Sequence, residues 1–237
     1  GGTTLSFVDE PRTGGTQRYN GLLLSIQRRA AAGVNIGGNY TWSHCIGTDG
    51  TAGTTVNVNT GSVYTEIIGG RSYFVDRRAD VANCGNDRRH LFNSTAVFEM
   101  PRFQNRIVSW LASGWRVANI YRRQSGSFFN VTAGTDAARI GGNTGAQRAV
   151  QLAPEVYAPG RPTGPRQVYL NPGVFAVPAT GTLAPNRGRR NIEGPGTWDW
   201  DAAISRIFRI NENQEVEFRV EAYNVPNSFR AVNPVTG

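Results

Sequence analysis

Residues 34–42 read Val34-Asn35-Ile36-Gly37-Gly38-Asn39-Tyr40-Thr41-Trp42. Val34, Ile36, Gly38, Tyr40 and Trp42 fall on one side of an extended chain, and Asn35, Gly37, Asn39 and Thr41 on the other. Alternation at period two is the pattern of a β-strand with two unlike faces. The polar side carries small amides and a hydroxyl, not the charges usual on a water-exposed face. The apolar side ends in Tyr40 and Trp42, whose rings favour a boundary between hydrocarbon and water. The stretch reads as one stave of a membrane β-barrel.

Working outward, the same alternation recurs in five more segments. Residues 17–30 set Leu22, Leu24 and Ile26 against Leu23, Ser25 and Gln27, and Gly33 supplies the free φ that the following hairpin needs. The first strand pair is thus 17–30 with 34–45. Residues 89–100 set Phe92, Ala96 and Phe98 against Asn93, Thr95 and Glu99. After a short turn at 101–106, residues 109–124 place Trp115, Val117 and Tyr121 opposite Arg116, Ala118 and Arg122; Asn119 and Arg123 on the apolar side make this the least regular strand. Residues 197–210 and 215–225 complete the set across a four-residue turn. Two long polar segments, 46–87 and 125–196, separate the pairs, and 168–170 and 174–177 are expected to form short strands above the main sheet. The fold expected is all-β: an antiparallel meander of long strands forming an incomplete segment of a transmembrane β-barrel across residues 1–237.

Connections that run short, long, short, long, short suit an outer-membrane barrel, with tight turns at the periplasmic end and long loops outside. On that orientation Tyr40, Trp42, Tyr121, Trp198 and Trp200 fall at the outer rim, and Phe98, Trp115, Phe208 and Phe218 near the inner one. Two aromatic girdles emerge, as a barrel in a bilayer requires. The side chains between them, Asn35, Asn39, Thr41, Arg116, Arg122, Asp199, Asp201, Glu217, Arg219 and Glu221, should face the lumen. A soluble β-sandwich also alternates, but it should show turn signals every ~8–12 residues.

Composition agrees with this reading. Hydrophobic residues make up 39% of 237, and no run approaches the ~18 apolar residues of a membrane helix. A mean hydropathy of −0.38 is uninformative for strands that are apolar only at alternate positions. The opening Gly1-Gly2 lacks a Met-led basic and apolar leader, so the chain is read as a piece of something longer. The net charge of +8 comes from Arg alone, scattered in pairs such as Arg28-Arg29, Arg77-Arg78, Arg88-Arg89 and Arg122-Arg123. No nucleic-acid module accompanies them, so nucleic acid is not expected as a partner.

Cys45 and Cys84 flank one long segment without Cys-x-x-Cys spacing, which makes them a disulfide candidate in an oxidising compartment, with two unpaired thiols as the alternative. His44 and His90 should lie on one face of a hairpin, too few ligands for a metal. The carboxylates Asp199, Asp201, Glu217 and Glu221 should lie on adjacent strands with Arg116, Arg122 and Arg219, as cross-strand salt ladders rather than an acid–base pair. No nucleophile elbow, phosphate loop or zincin helix occurs. Neither catalysis, a metal nor a cofactor is expected.

The order of motifs resembles the C-terminal barrel region of TonB-dependent outer-membrane receptors, especially the Oar-like group. The resemblance rests on Tyr19-Asn20-Gly21-Leu22 through Arg28-Arg29, Tyr40-Thr41-Trp42-Ser43, Asp87-Arg88-Arg89-His90, Gly114-Trp115 with Gln124-Ser125-Gly126, Arg189-Arg190-Asn191 with Gly194-Pro195-Gly196, and Phe218-Arg219-Val220-Glu221-Ala222-Tyr223-Asn224. It implies a bacterial outer-membrane receptor that binds a ligand at the cell surface and imports it through a plugged barrel. The implied partners are outer-membrane lipid, the TonB complex and a saccharide, peptide or siderophore. The family's plug domain and closing strand are not found here, leaving about six of roughly 22 staves. Tyr64, Tyr73, Phe74, Tyr157 and Tyr169 would give the outer loops their aromatic contact surface. A non-transporting adhesion or assembly barrel is the alternative, ahead of a soluble carbohydrate-binding sandwich.

Overall fold

A computed structural model describes residues 16–29, 33–47, 65–68, 71–74, 81–101, 103–137, 148–160, 166–182, 184, 191–211 and 214–234; the side chains of 65–68, 71–74 and 209 lie outside that description. Residues 1–15, expected as loop, and Tyr64 also lie outside it, as do the side chains of Tyr73 and Phe74.

Six long strands carry the fold: β1 (Gln17–Arg29) and β2 (Val34–Gly47) first. In the segment after β2 lie a small hairpin of β3 (Thr65–Ile68) and β4 (Arg71–Phe74), then β5 (Ala82–Asn83), which pairs with β2. Next come β6 (His90–Glu99), helix α1 (Arg106–Ala112) and β7 (Trp115–Gln124). Four two-residue strands follow, β8 (Phe128–Phe129), β9 (Val150–Gln151), β10 (Phe175–Ala176) and β11 (Ile192–Glu193), and β12 (Thr197–Asn211) and β13 (Gln214–Ala222) close the order. The main path is the antiparallel meander β1-β2-β6-β7-β12-β13.

Register decides which side chains share a face, because directly paired residues point the same way. Tyr40 pairs with Phe92, Phe92 with Arg123 and Arg123 with Trp198; Val34 pairs with Phe98, Phe98 with Val117, Val117 with Ile204 and Ile204 with Val220. Carried across the sheet, this puts all nine aromatics expected in the girdles on one face, and all ten residues expected to face the lumen on the other. A row free of aromatics, Ile36-Ala96-Asn119-Ala202-Ala222, separates an upper aromatic band from a lower one. From Trp198 to Phe208 the strand advances roughly 34 Å, and a tilt near 40° reduces that to roughly 26 Å. That height matches the ~25 Å apolar band of a barrel.

Two structural differences from the sequence reading concern the β6–β7 connection. Residues 109–114 do not extend the strand, which begins at Trp115; 106–112 are helical instead. Asn105 caps the helix, its Oδ1 accepting from the amides of Ile107 (3.0 Å) and Val108 (3.3 Å). Gly114, at φ 78°, then reverses the chain. The connection is therefore no short turn. At the same end Gly33 (φ 77°) shapes the β1–β2 hairpin, and only residues 212–213 separate β12 from β13.

The sheet is a single layer without a core of its own. Trp42, Phe92, Phe98, Trp200, Ile204, Phe208 and Phe218 are all exposed on the aromatic face, and among the described residues no second layer covers them. A sandwich interior would bury them. Apart from Ser205 on the polar face, the buried residues belong to the loop end and the long connections: Ser43, Cys45, Ala82, Cys84 and Asp87 around the first, Arg148, Gln151, Val156, Ala184 and Ile192 in the second. No helix among the described residues is long and apolar enough to cross a membrane, a criterion that does not touch crossing by strands.

Candidate ligand-contact rim

At the loop end the disulfide Cys45–Cys84 closes the first long connection, with a Cα–Cα distance of 5.4 Å. Both cysteines are buried, the Cys84 amide donates to the Cys45 carbonyl (3.1 Å), and the Gln17 amide points Nε2 at both sulfurs from β1. Arg88 and Arg89 tie this cluster to the second long connection. Ser43 donates from its amide to the Arg89 carbonyl and from its hydroxyl to the Arg88 carbonyl, while Arg88 Nη1 donates to the Ser125 carbonyl (2.9 Å). The Arg89 guanidinium lies over the Phe128 ring at 5.7 Å and 3.5 Å from buried Asp87. From the sequence this arginine pair is one of several scattered along the chain. Its role depends on Ser125 and Phe128, more than 35 residues away, which local spacing does not display.

Glycines hold the second connection together by close backbone approach. A Cβ at Gly126 would run into the Gly194 carbonyl, and one at Gly194 into the Asn233 side chain. The Gly194 amide donates to the Ser127 carbonyl (2.9 Å), and Asn233 Nδ2 donates to the Ser127 hydroxyl (2.9 Å). Gly126→Ala is therefore expected to pry the 125–127 and 192–196 stems apart, at about 1–3 kcal/mol of local stability. Amide hydrogen exchange should show faster exchange at 127–129 and 192–194 with β1 and β2 unaltered.

The segment after β13 folds back along this rim. Its Asn224 amide donates to Asp201 Oδ1 (2.9 Å), the Val225 amide to the Trp200 carbonyl (2.9 Å), and Arg230 Nη2 lies 2.5 Å from Asp199 Oδ1. This revises the expected salt ladders. Arg122 is register-paired with Asp199, yet the carboxylate turns to Arg230. The cross-strand rung that forms is Arg116–Glu99 (2.8 Å), and Arg219 pairs within its own strand with Glu221 (2.6 Å). Asp201 caps a turn, and Glu217 and Arg122 extend from the polar face with no ion-pair partner among the described residues.

Between staves, second connection and tail lies an open cleft of about 1100 Å³. Its floor is aromatic: Tyr40 stacks on His90 (6.0 Å) and donates to or accepts from its Nδ1 at 2.7 Å, and Phe92, Tyr121 and Trp198 follow at 6.1 Å spacings. Opposite them Tyr157 and Tyr169 meet edge to face at 5.6 Å. Both phenols donate to the Glu193 carbonyl, and the Glu193 amide donates back to Tyr157. Burial pushes the Tyr157 phenol above its usual range, so it stays protonated and keeps donating. Arg123 completes the lining. Aromatic faces, fixed hydroxyls and one guanidinium suit sugar rings, aromatic groups and anions.

The structure thus joins Tyr157 and Tyr169 to Tyr40, Tyr121 and Trp198, which the sequence reading placed in a membrane girdle, and adds His90, Phe92, Arg123 and Phe229. The cleft's strand residues Tyr40, Phe92, Tyr121, Arg123 and Trp198 lie on the aromatic face, and Gln124 and Thr197 reach it from the strand ends. His44 register-pairs with Asn20 on β1, and no set of three His, Cys, Asp or Glu able to hold a metal occurs among the described residues. A search of curated proteins and one of solved structures give no match to the chain. The family described as Outer membrane beta barrel domain matches residues 3–237, and its location is the bacterial outer membrane. With that match across nearly its whole length, and a meander whose two faces are sorted by register, this chain belongs to the outer membrane beta barrel domain family.

Proposed function

We propose that the chain is part of a TonB-dependent receptor that binds a ligand at the cell surface and imports it through a plugged barrel. The observation that carries this reading is the polar face. It runs the height of the sheet and keeps charged side chains, Arg122 and Glu217 among them, extended and unpaired within the described residues. A narrow barrel would fill its interior with its own interlocking side chains. Charges held out into space suit a wide bore that water fills or a plug occupies. The aromatic face below the rim cleft then meets lipid, and the cleft with its tyrosines makes first contact with a saccharide, peptide or siderophore. No catalysis is assigned.

An adhesion or assembly barrel is the second reading, favoured by how firmly the loop end is built: a disulfide, an arginine hub and a folded-back tail. Liposomes carrying the full-length protein separate the two. Ligand uptake that stops when the TonB-contacting segment is deleted supports import. Tight binding of cells or protein with no flux under any energised condition would leave adhesion as the function.

A further inference from the structure

Helix α1 presents an apolar edge that the barrel reading does not use. Ile107, Trp110 and Leu111 stand at i, i+3 and i+4, on one side of the helix, and they are 70%, 72% and 56% exposed. Phe103 and Val108, in the same connection, are also exposed. Among the described residues nothing packs over the helix edge. Such an edge on an otherwise well-bonded element marks a contact surface.

The helix is fixed in place by the aromatic face itself. Trp115 Nε1 donates to the Leu111 carbonyl (2.9 Å), and the Arg206 guanidinium donates to the Trp110 carbonyl. Two of the carbonyls left open by the helix end are thus satisfied from the lower aromatic band. Arg206 in turn lies over the Trp115 ring (5.2 Å) and the Phe208 ring (4.7 Å), so its charge stays at the rim, where an arginine on the apolar side costs least. Helix and band are one continuous surface at the end that carries the two tight hairpins, which in an outer-membrane barrel is the periplasmic end.

We propose that α1 is an interfacial anchor that inserts Ile107, Trp110 and Leu111 among the phospholipids of the periplasmic leaflet. This rests on the reading that the aromatic face meets lipid. Phospholipid is the occupant because the helix end is bonded to Trp115 and Arg206 of that face, the patch's central residue is a tryptophan, and Arg106 opens the same helix to meet head-group phosphates.

Spin labels at Ile107→Cys and Trp110→Cys, with Ile204→Cys as a marker of the sheet's aromatic face, test this in full-length protein in phospholipid nanodiscs. The native cysteines are bonded to each other and do not take the label. Labels at 107 and 110 are expected to relax several-fold more with oxygen than with a water-soluble nickel chelate, at a depth of about 5–10 Å. Nickel access equal to that of a label in water overturns the anchor. So does shielding from both reagents, the signature of a protein cover. If 204 reads as lipid-exposed while 107 and 110 do not, the helix inference fails alone; if 204 fails too, the reading of the face falls with it.

Discussion

Ile204→Arg is expected to stop the barrel from assembling, whereas Ala203→Arg, one residue away, is expected to be tolerated. Ile204 register-pairs with Val117 and Val220 near the middle of the aromatic face, where it is exposed and its direct cross-strand partners are apolar. An arginine near the bilayer midplane of a barrel's lipid side costs about 2–4 kcal/mol. Arg206, by contrast, sits nearer the rim, its guanidinium over the Trp115 and Phe208 rings and bonded to the Trp110 carbonyl. Ala203 points the other way, paired with Ala118 and Glu221, so its replacement gains a carboxylate neighbour in a wet environment. Folded barrels migrate differently before and after boiling, and the fraction showing that shift in each variant reads the outcome. Equal loss in both would mean that the two faces do not differ in solvent, and the barrel assignment of these strands would go with it.

The staves were legible because a strand declares itself at period two, and membrane strands exaggerate the contrast between faces. Residues 34–42 alone carry it, and the register of six strands keeps nine aromatics and ten polar residues apart as their parity requires. The same period obscures helix α1. Ser109, Leu111 and Ser113 alternate with Trp110 and Ala112, which extends the strand period back from Trp115. The competing signals were present: Asn105 as a cap, Ile107, Trp110 and Leu111 at helical spacing, and Gly114 as a stop. The salt ladders failed for another reason. Register names the neighbours across a strand pair, but Asp199 is claimed by Arg230, from a tail whose path no periodicity describes. The rim was legible only in pieces. Close approach of Gly126 to Gly194 and the reach of Arg88 to Ser125 are properties of two connections packed together.

Cys84→Ser, or reduction of the native protein, should release the first long connection while leaving the staves intact. The bond joins positions separated by 39 residues, and closing a loop of that size restrains the unfolded chain by about 4 kcal/mol in the entropy model. The loss should be local. Residues 35–42 are held on both sides by the β1 and β6 ladders, and Ser43 is fastened to the Arg88 and Arg89 carbonyls. Above that point, β5 pairs with β2 at two positions, Ile46–Asn83 and Gly47–Ala82. Protease added to cells or to detergent-purified protein should cut between residues 48 and 80 in the serine variant and spare β1, β2 and β6. The double variant Cys45→Ser/Cys84→Ser should behave as the single one, because both remove the same bond. If reduced protein gave the native digestion pattern, the restraint would have to reside in the arginine contacts, and Arg89→Ala rather than Cys84→Ser would then open the rim.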